Sequence, residues 1–204
     1  MGISSEYEAN ITNEVIKTYG KYNSIIKSNN EYLGAFNNDE IIIYNLNYPS
    51  FNLTVENSIT CPERINYIDF NPKYPQIILS ALGNGDVKLW NISDKINKDK
   101  EICVFKGHFS CVNYALFNPE FSNTIISSDN KNIKIWDVNK YTHDLNAIHE
   151  DKINILKWNF SGDKFGYIND KYKLVINEIE KDKEKNKGLL EIYEQKENYI
   201  NDFI

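Results

Sequence analysis

The sequence predicts an all-β fold made of about four copies of one repeated unit. The first indication is a set of similar strand ends at Tyr44, Trp90, Trp136 and Ile176, which are spaced by 46, 46 and 40 residues. The second is a polar turn before each strand end, rich in the residue types Asn, Asp and Gly that favour tight hairpins. Units with this period bury their faces against their neighbours, so we expect stacked β-sheets.

The best-preserved copy covers residues 106–137. It opens with Gly107-His108 and closes with Trp136-Asp137. Three runs typical of β-strands lie within or at the end of this copy, at residues 112–117, 124–128 and 133–138. The two dipeptides and the runs between them resemble a WD repeat, which is a four-stranded blade of a β-propeller. An unrelated β-meander that contains both dipeptides is the alternative.

The resemblance implies about four four-stranded antiparallel blades within residues 31–204. The segment Ile-Asn-Tyr-Ile-Asp-Phe-Asn-Pro at 65–72 matches Val-Asn-Tyr-Ala-Leu-Phe-Asn-Pro at 112–119. The predicted blades are 22–57, 65–106, 112–148 and 153–195, with the start of a further blade at 198–204. Residues 1–30 are predicted to be an N-terminal segment that supplies either an inner strand or a closing strand.

A ring of such repeats usually has about seven blades, so the chain is expected to be the N-terminal part of a larger propeller. Four blades and an unfinished fifth would leave a long apolar edge exposed. We therefore expect the missing blades to be supplied by the rest of a longer chain or by another chain.

The composition argues against several classes of function. The formal net charge is -6 and Arg64 is the single arginine, which disfavours a basic nucleic-acid-binding surface. No apolar run approaches the length of a membrane span. Three cysteines without a signal peptide predict a reducing, cytoplasmic location. The spacing of Cys103, His108 and Cys111 fits no common zinc site, and we predict no metal, no cofactor and no catalytic residue.

His108 invites a catalytic interpretation, but the resemblance implies a structural one. In WD proteins this His, a strand Ser, a turn Asp and the closing Trp form a buried hydrogen-bonded tetrad. On that resemblance His108, Ser128 and Trp136 take three of the positions, and Asn130 stands at the turn position in place of Asp. The matching residues in other copies are His149, Asp170 and Trp90. No copy is therefore expected to carry the full tetrad.

Propellers of this type commonly bind partners on the face that carries the turns and the outer-to-inner loops. The residues that we place there, as candidates for partner binding, are Arg64, Phe109, Lys131, Asp151, Lys152 and Tyr172. Arg and Tyr often contribute most to binding energy. The predicted partners are other proteins, either actin or the subunits of a larger complex.

The order of features resembles the N-terminal half of coronins, the actin-associated propeller proteins. The likeness covers roughly 31–180 and depends on the long linker 93–106, on Trp158 followed by Ser161-Gly162-Asp163, and on the strand that ends without Trp at Ile176. It implies a non-catalytic scaffold associated with the actin cytoskeleton. The repeats also resemble histone-chaperone-type WD adaptors, so a substrate-recruiting or complex-assembly adaptor is the alternative. An enzyme that used the propeller channel would need clustered acids or a metal at the axis.

Overall fold

The computed structural model describes residues 24–29, 32–47, 52–93, 100–140, 142–148, 152–180 and 189–193. Sixteen strands within these ranges form four antiparallel sheets of four strands each. In every sheet the strands pair in chain order. This arrangement confirms the predicted all-β class and the four-stranded blades.

The sheets are named blades 1 to 4 in chain order. Blade 1 contains β1 (Ser24–Asn29), β2 (Tyr32–Phe36), β3 (Glu40–Asn47) and β4 (Asn52–Thr60). Blade 2 contains β5 (Ile65–Phe70), β6 (Ile77–Leu82), β7 (Val87–Asn91) and β8 (Glu101–Phe105). Blade 3 contains β9 (Tyr114–Phe117), β10 (Thr124–Ser128), β11 (Asn132–Asp137) and β12 (Thr142–Ile148). Blade 4 contains β13 (Ile153–Trp158), β14 (Lys164–Asn169), β15 (Leu174–Glu180) and β16 (Leu189–Tyr193).

The first strands of successive blades stand side by side. Strand β5 contacts β1 on one side and β9 on the other, and β9 contacts β13. These inner strands define the propeller axis. Strand β1 falls in the N-terminal segment predicted at 1–30 and is the inner strand of blade 1. Residues 1–23 and the further blade predicted at 198–204 lie outside the described residues.

The second strands of blades 2 and 3 are buried on both faces, because each of these two blades lies between two neighbours. Consecutive residues such as Ile78 and Leu79, or Ile125 and Ile126, are fully buried. Their side chains point to opposite faces and enter different apolar clusters. Burial of each such side chain contributes about 1.5–3 kcal/mol, which is why these strands place Ile or Leu at consecutive positions.

Backbone hydrogen bonds join adjacent blades at one end, which we call the top face. This face carries the turns between the second and third strands and the loops that lead into the next inner strand. The N–H of Ile65 donates to the carbonyl of Asn38 at 2.7 Å, and the N–H of Ile153 donates to that of Asn130 at 2.9 Å. Blades 2 and 3 are joined in the same way by Val112 and Leu82, at 3.0 Å.

The Phe-Asn-Pro motifs join the blades at the opposite end, the bottom face. The Asn118 side chain accepts the N–H groups of Glu120 and Phe121 through Oδ1, which closes its own turn. Its Nδ2 donates to the carbonyl of Gly162 in blade 4 at 2.7 Å. Asn71 forms the equivalent bond to the carbonyl of Ser122 at 3.1 Å. The repeated Asn therefore holds a turn and clips it to the next blade.

Candidate functional site

Blade 3 contains a buried hydrogen-bonded group of four side chains. His108 Nδ1 lies 3.1 Å from Asp129 Oδ2, and His108 Nε2 lies 2.7 Å from Ser127 Oγ. The indole Nε1–H of Trp136 donates to the same Ser127 Oγ at 2.7 Å. With the proton on Nδ1, His108 donates to the carboxylate and accepts from the Ser127 hydroxyl, so every donor is satisfied.

Two of the predicted tetrad residues are wrong by one position. Ile125 faces Trp136 across the ladder, and Ser127 lies two residues further along the same face of β10. Ser128 points to the opposite face, where its buried hydroxyl has no hydrogen-bond partner among the described residues. Asn130 is exposed in the turn and accepts the Asn113 amide at 3.0 Å. Blade 3 therefore carries the complete tetrad, through Ser127 and Asp129.

Asp129 is the most heavily bonded member of this tetrad. Its Oδ1 accepts the backbone N–H of Lys131 at 2.8 Å and that of Asn132 at 2.7 Å. The Asn132 side-chain amide also donates to both carboxylate oxygens at 2.9 Å. Burial alone would raise the pKa of Asp129, but the hydrogen bond from His108 and those from the turn outweigh it and hold the pKa far below its usual range. A buried carboxylate is thus kept ionised by local donors.

Blade 2 retains only the Ser-Trp half of this arrangement. The Trp90 Nε1–H donates to Ser80 Oγ at 2.9 Å. Cys61 occupies the position of the His, and its Sγ donates to Glu63 Oε2 at 3.1 Å. Burial and the Glu63 hydrogen bond raise the pKa of the Cys61 thiol to about 11, so the thiol stays protonated and unreactive at neutral pH.

A lysine bridge strengthens the outer part of blade 2. Lys88 Nζ lies 3.2 Å from a Glu63 carboxylate oxygen and 3.0 Å from one of Glu101. The same ammonium lies 5.5 Å from the centroid of the Trp90 ring. The cation therefore links the loop before β5 to β8, next to the tryptophan ring.

In its described part, blade 4 has no hydrogen-bonded Ser-Trp pair like those of blades 2 and 3. The turn after β14 opens with Asn169, whose Oδ1 accepts the N–H groups of Lys171 and Lys173. Asp170, predicted as the turn Asp of the tetrad, is instead exposed. The physical reason is the longer turn, which makes Asn169 and not Asp170 the equivalent of Asp129. His149, the other predicted member, lies outside the described residues.

The interior of blade 4 contains buried polar side-chain atoms without hydrogen-bond partners among the described residues. Asn177 faces Phe165 across the ladder and is 1% exposed, yet neither atom of its amide has a partner among the described residues. The buried indole Nε1 of Trp158, which faces Phe165 from the other side, has none either. Buried polar groups without partners cost about 1–3 kcal/mol each. These two side chains therefore lower the stability that blade 4 gains from its core.

Replacing Asn177 with leucine is expected to raise the free energy of unfolding by about 1–2 kcal/mol, because it removes an unsatisfied buried amide and keeps the volume. The measurement is urea unfolding followed by tryptophan fluorescence. The control is Asn169→Leu, which removes a buried amide that does accept hydrogen bonds and should destabilise the chain. A loss of stability in Asn177→Leu would show that the amide has a favourable role.

The candidate partner-binding residues lie in top-face loops, and backbone hydrogen bonds join neighbouring loops of this face. The N–H of Gly83 donates to the Arg64 carbonyl at 2.8 Å, and the N–H of Asp170 donates to the Lys152 carbonyl at 2.9 Å. Arg64, Lys131 and Lys152 are exposed. Phe109 and Tyr172 are exposed aromatic side chains on these loops, at 94% and 81%. Asp151 lies outside the described residues.

Sequence reasoning missed a pocket of about 430 Å³ beside the axis, at the top ends of the inner strands of blades 2, 3 and 4. Its lining residues are Asn66, Tyr67, Asn113, Tyr114, Lys152, Ile153 and Asn154. The rings of Tyr67 and Tyr114 are 5.2 Å apart, and Lys157 Nζ lies 3.2 Å from the Tyr67 hydroxyl. The Asn that follows the first apolar residue of each inner strand was the available signal, because the blades bring these positions together.

The described residues contain no group of three or more His, Cys, Asp or Glu side chains that could hold a metal ion. None of the described residues that line the pocket carries a carboxylate. In the ranges that the structure describes, no helix is long and apolar enough to cross a membrane.

Comparison with known proteins agrees with this geometry. The model of the WD domain, G-beta repeat family matches residues 99–137, the segment that contains the tetrad. Apoptotic protease-activating factor 1 of Rattus norvegicus is 28% identical over 92 residues, which are 45% of this chain and 7% of that protein. The Homo sapiens protein of that name is 32% identical over 76 residues, which are 37% and 6% of the two chains.

The fold is similar to that of a solved coronin domain. The WD40 domain of Toxoplasma gondii coronin matches with a TM-score of 0.64 at 21% identity, over 73% of this chain and 40% of that chain. The chain therefore spans less than half the length of each of these proteins. The complete tetrad, the four blades and the matches lead to one conclusion: residues 99–137 are similar to the WD domain, G-beta repeat family, and the chain has a β-propeller fold like that of the coronin WD40 domain.

Proposed function

We propose that the chain is a non-catalytic scaffold that binds other proteins through its top face. The observation that carries this proposal is Phe109, which is 94% exposed although it directly follows the buried His108. The tetrad fixes His108, so the loop presents the aromatic ring to solvent from a rigid base. Exposed aromatic side chains on rigid loops are typical centres of protein interfaces.

Tyr172 supports the same surface. It is 81% exposed and has a φ of 60°, a conformation that is rare for a side chain of this size. Strained backbone is concentrated at functional sites, where the surrounding structure maintains it. The exposed cationic side chains of Arg64, Lys131 and Lys152 lie on the same face. The proposed surface also includes Asp151, which lies outside the described residues. We infer that a partner contacts this arc of loops.

The proposed partner is filamentous actin, which also implies a cytoplasmic location. Two observations support it: the resemblance of the sequence to coronins and the similarity of the fold to the Toxoplasma gondii coronin domain. The second candidate is an adaptor that assembles a multi-subunit complex. The match to apoptotic protease-activating factor 1, whose name describes action on another protein, favours that candidate.

Phe109→Ala is expected to weaken co-sedimentation of the chain with filamentous actin by about tenfold or more, as for a central aromatic contact. Its stability should change by less than about 0.5 kcal/mol, because the ring is exposed. Phe160→Ala is the matched control, since Phe160 is 98% exposed but lies in a bottom-face turn. Equal loss of pelleting in the two variants would place the contact elsewhere, and no pelleting of the unmodified chain would remove actin in favour of the adaptor.

A further inference from the structure

The axial pocket presents hydrogen-bonding groups that the fold itself does not use. Each of its three asparagines donates Nδ2 to a neighbouring acceptor: Asn66 to the Val112 carbonyl, Asn113 to Asn130 Oδ1, and Asn154 to the Asn169 carbonyl. These bonds fix the amide planes. Each amide retains its own oxygen and a second N–H hydrogen for a ligand. Such a ring of amides matches the alternating donors and acceptors of a peptide main chain.

Among the described residues that line the pocket, charge has one sign. Lys152 is the charged residue in the lining, and it is exposed. Lys157 adds a second ammonium further along β13, where it contacts the hydroxyl and the ring of Tyr67. Within the described part of the chain, neither lysine forms an ion pair with a carboxylate. Asp69 is on β5, the strand that carries Tyr67, but its Oδ2 accepts the N–H of Phe117 at 2.9 Å and it does not line the pocket.

The tyrosines add donors next to these cations. The Tyr67 oxygen accepts from Lys157, so its own hydroxyl hydrogen remains available to a ligand oxygen. Tyr114 stands beside it with its ring tilted by 57°. Together, two ammonium groups and phenolic hydroxyls make an environment that favours a carboxylate, in a chain whose net charge is -6.

We propose that the axial pocket binds an acidic peptide segment, with a carboxylate directed at Lys152 and the peptide main chain on the three asparagines. This inference rests on the proposed function, because it assigns the chemistry of a partner to the top face. It is separate from the Phe109 contact, since Phe109 does not line the pocket.

The test is a titration of the full chain with short Gly-Ser peptides that carry an uncharged fluorophore and three Glu, three Gln or three Lys residues. Fluorescence anisotropy at low salt should give a Kd for the Glu peptide at least about threefold below that for the Gln peptide, and the Lys peptide should bind most weakly. Lys152→Gln should raise the Kd of the Glu peptide by about threefold to fivefold, as for one ion pair at a solvent-exposed rim. Lys106→Gln, which changes an exposed lysine of the top-face loop after β8 that does not line the pocket, should alter it by less than about twofold.

Equal binding of the Glu and Gln peptides, stronger binding of the Lys peptide, no binding of any peptide, or equal effects of the two lysine substitutions would each overturn the proposal. These outcomes are distinct from failure of the proposed function. Loss of peptide discrimination with intact, Phe109-dependent actin pelleting refutes only the pocket. Discrimination by Lys152 without actin pelleting refutes only the actin partner.

Discussion

Replacing Asp129 with alanine is expected to lower the free energy of unfolding by about 3–5 kcal/mol, the largest effect of any exchange considered for this chain. Asp129 is 1% exposed, and its carboxylate accepts hydrogen bonds from His108, Lys131 and Asn132. Alanine leaves those donors without an acceptor, and each buried donor costs about 1–3 kcal/mol. Urea unfolding followed by tryptophan fluorescence measures the loss. A loss below about 1 kcal/mol would contradict the role assigned to this carboxylate.

The Asp129 contribution should also depend on pH. The folded-state pKa is held below the unfolded value of about 3.9, so the stabilisation is complete above that value and is lost as pH falls through the folded pKa. The difference in unfolding free energy between the unmodified chain and Asp129→Ala should therefore be constant near neutrality and shrink below about pH 4. A difference that grows on acidification would contradict the direction of the pKa shift.

Replacing Gly162 with alanine is expected to lower the free energy of unfolding by about 2–4 kcal/mol. Gly162 has a φ of 68°, which disfavours any residue with a Cβ. A Cβ at this position would meet Asn118 Oδ1 at 2.2 Å, and the Asn118 side chain is fixed by its own turn. The substitution therefore combines backbone strain with a clash at the clip between blades 3 and 4. The same urea titration measures it.

Gly166→Ala is the matched control in the same blade. A Cβ there has ordinary contacts, of which the nearest is the Val175 carbonyl at 3.4 Å, and its φ is not positive. We expect a change below about 1 kcal/mol. In the double variant Asn118→Ala/Gly162→Ala, the clash is removed and part of the loss attributed to Gly162 should be recovered. Purely additive losses would show that the clash does not contribute.

The repeat period and the turn residues were enough to predict the architecture. Trp90 and Trp136 mark the third strands of blades 2 and 3, and the polar turns before them are the hairpins observed. This works because each blade is specified by local features: a buried apolar run, a tight turn and a closing aromatic residue. In blade 4 the turn between the second and third strands is one residue longer than in blade 3. Counting back from Ile176 with the spacing of blade 3 therefore led to Asp170 instead of Asn169.

The tetrad could not be located from spacing alone. Ser127 and Ser128 are adjacent, as are Asp129 and Asn130, and a shift of one residue sends a side chain to the opposite face of the strand. Only the pairing of Ile125 with Trp136 decides that Ser127 shares the tryptophan face. Spacing alone did not locate the axial pocket either, because Asn66, Asn113 and Asn154 are far apart along the chain and meet only when the blades stand side by side. The repeated Asn was the signal, and it becomes informative only once the blades are aligned.

The complete tetrad of blade 3 passes through Asp129, and its neighbour Asn130 is only a turn residue. The most direct measurement compares the unfolding free energies of Asp129→Ala and Asn130→Ala under identical conditions. The predicted result is a loss at Asp129 that exceeds the loss at Asn130 by at least about 2 kcal/mol, because Asn130 is exposed and makes one side-chain hydrogen bond at the surface. Equal losses, or a larger loss at Asn130, would contradict the assignment.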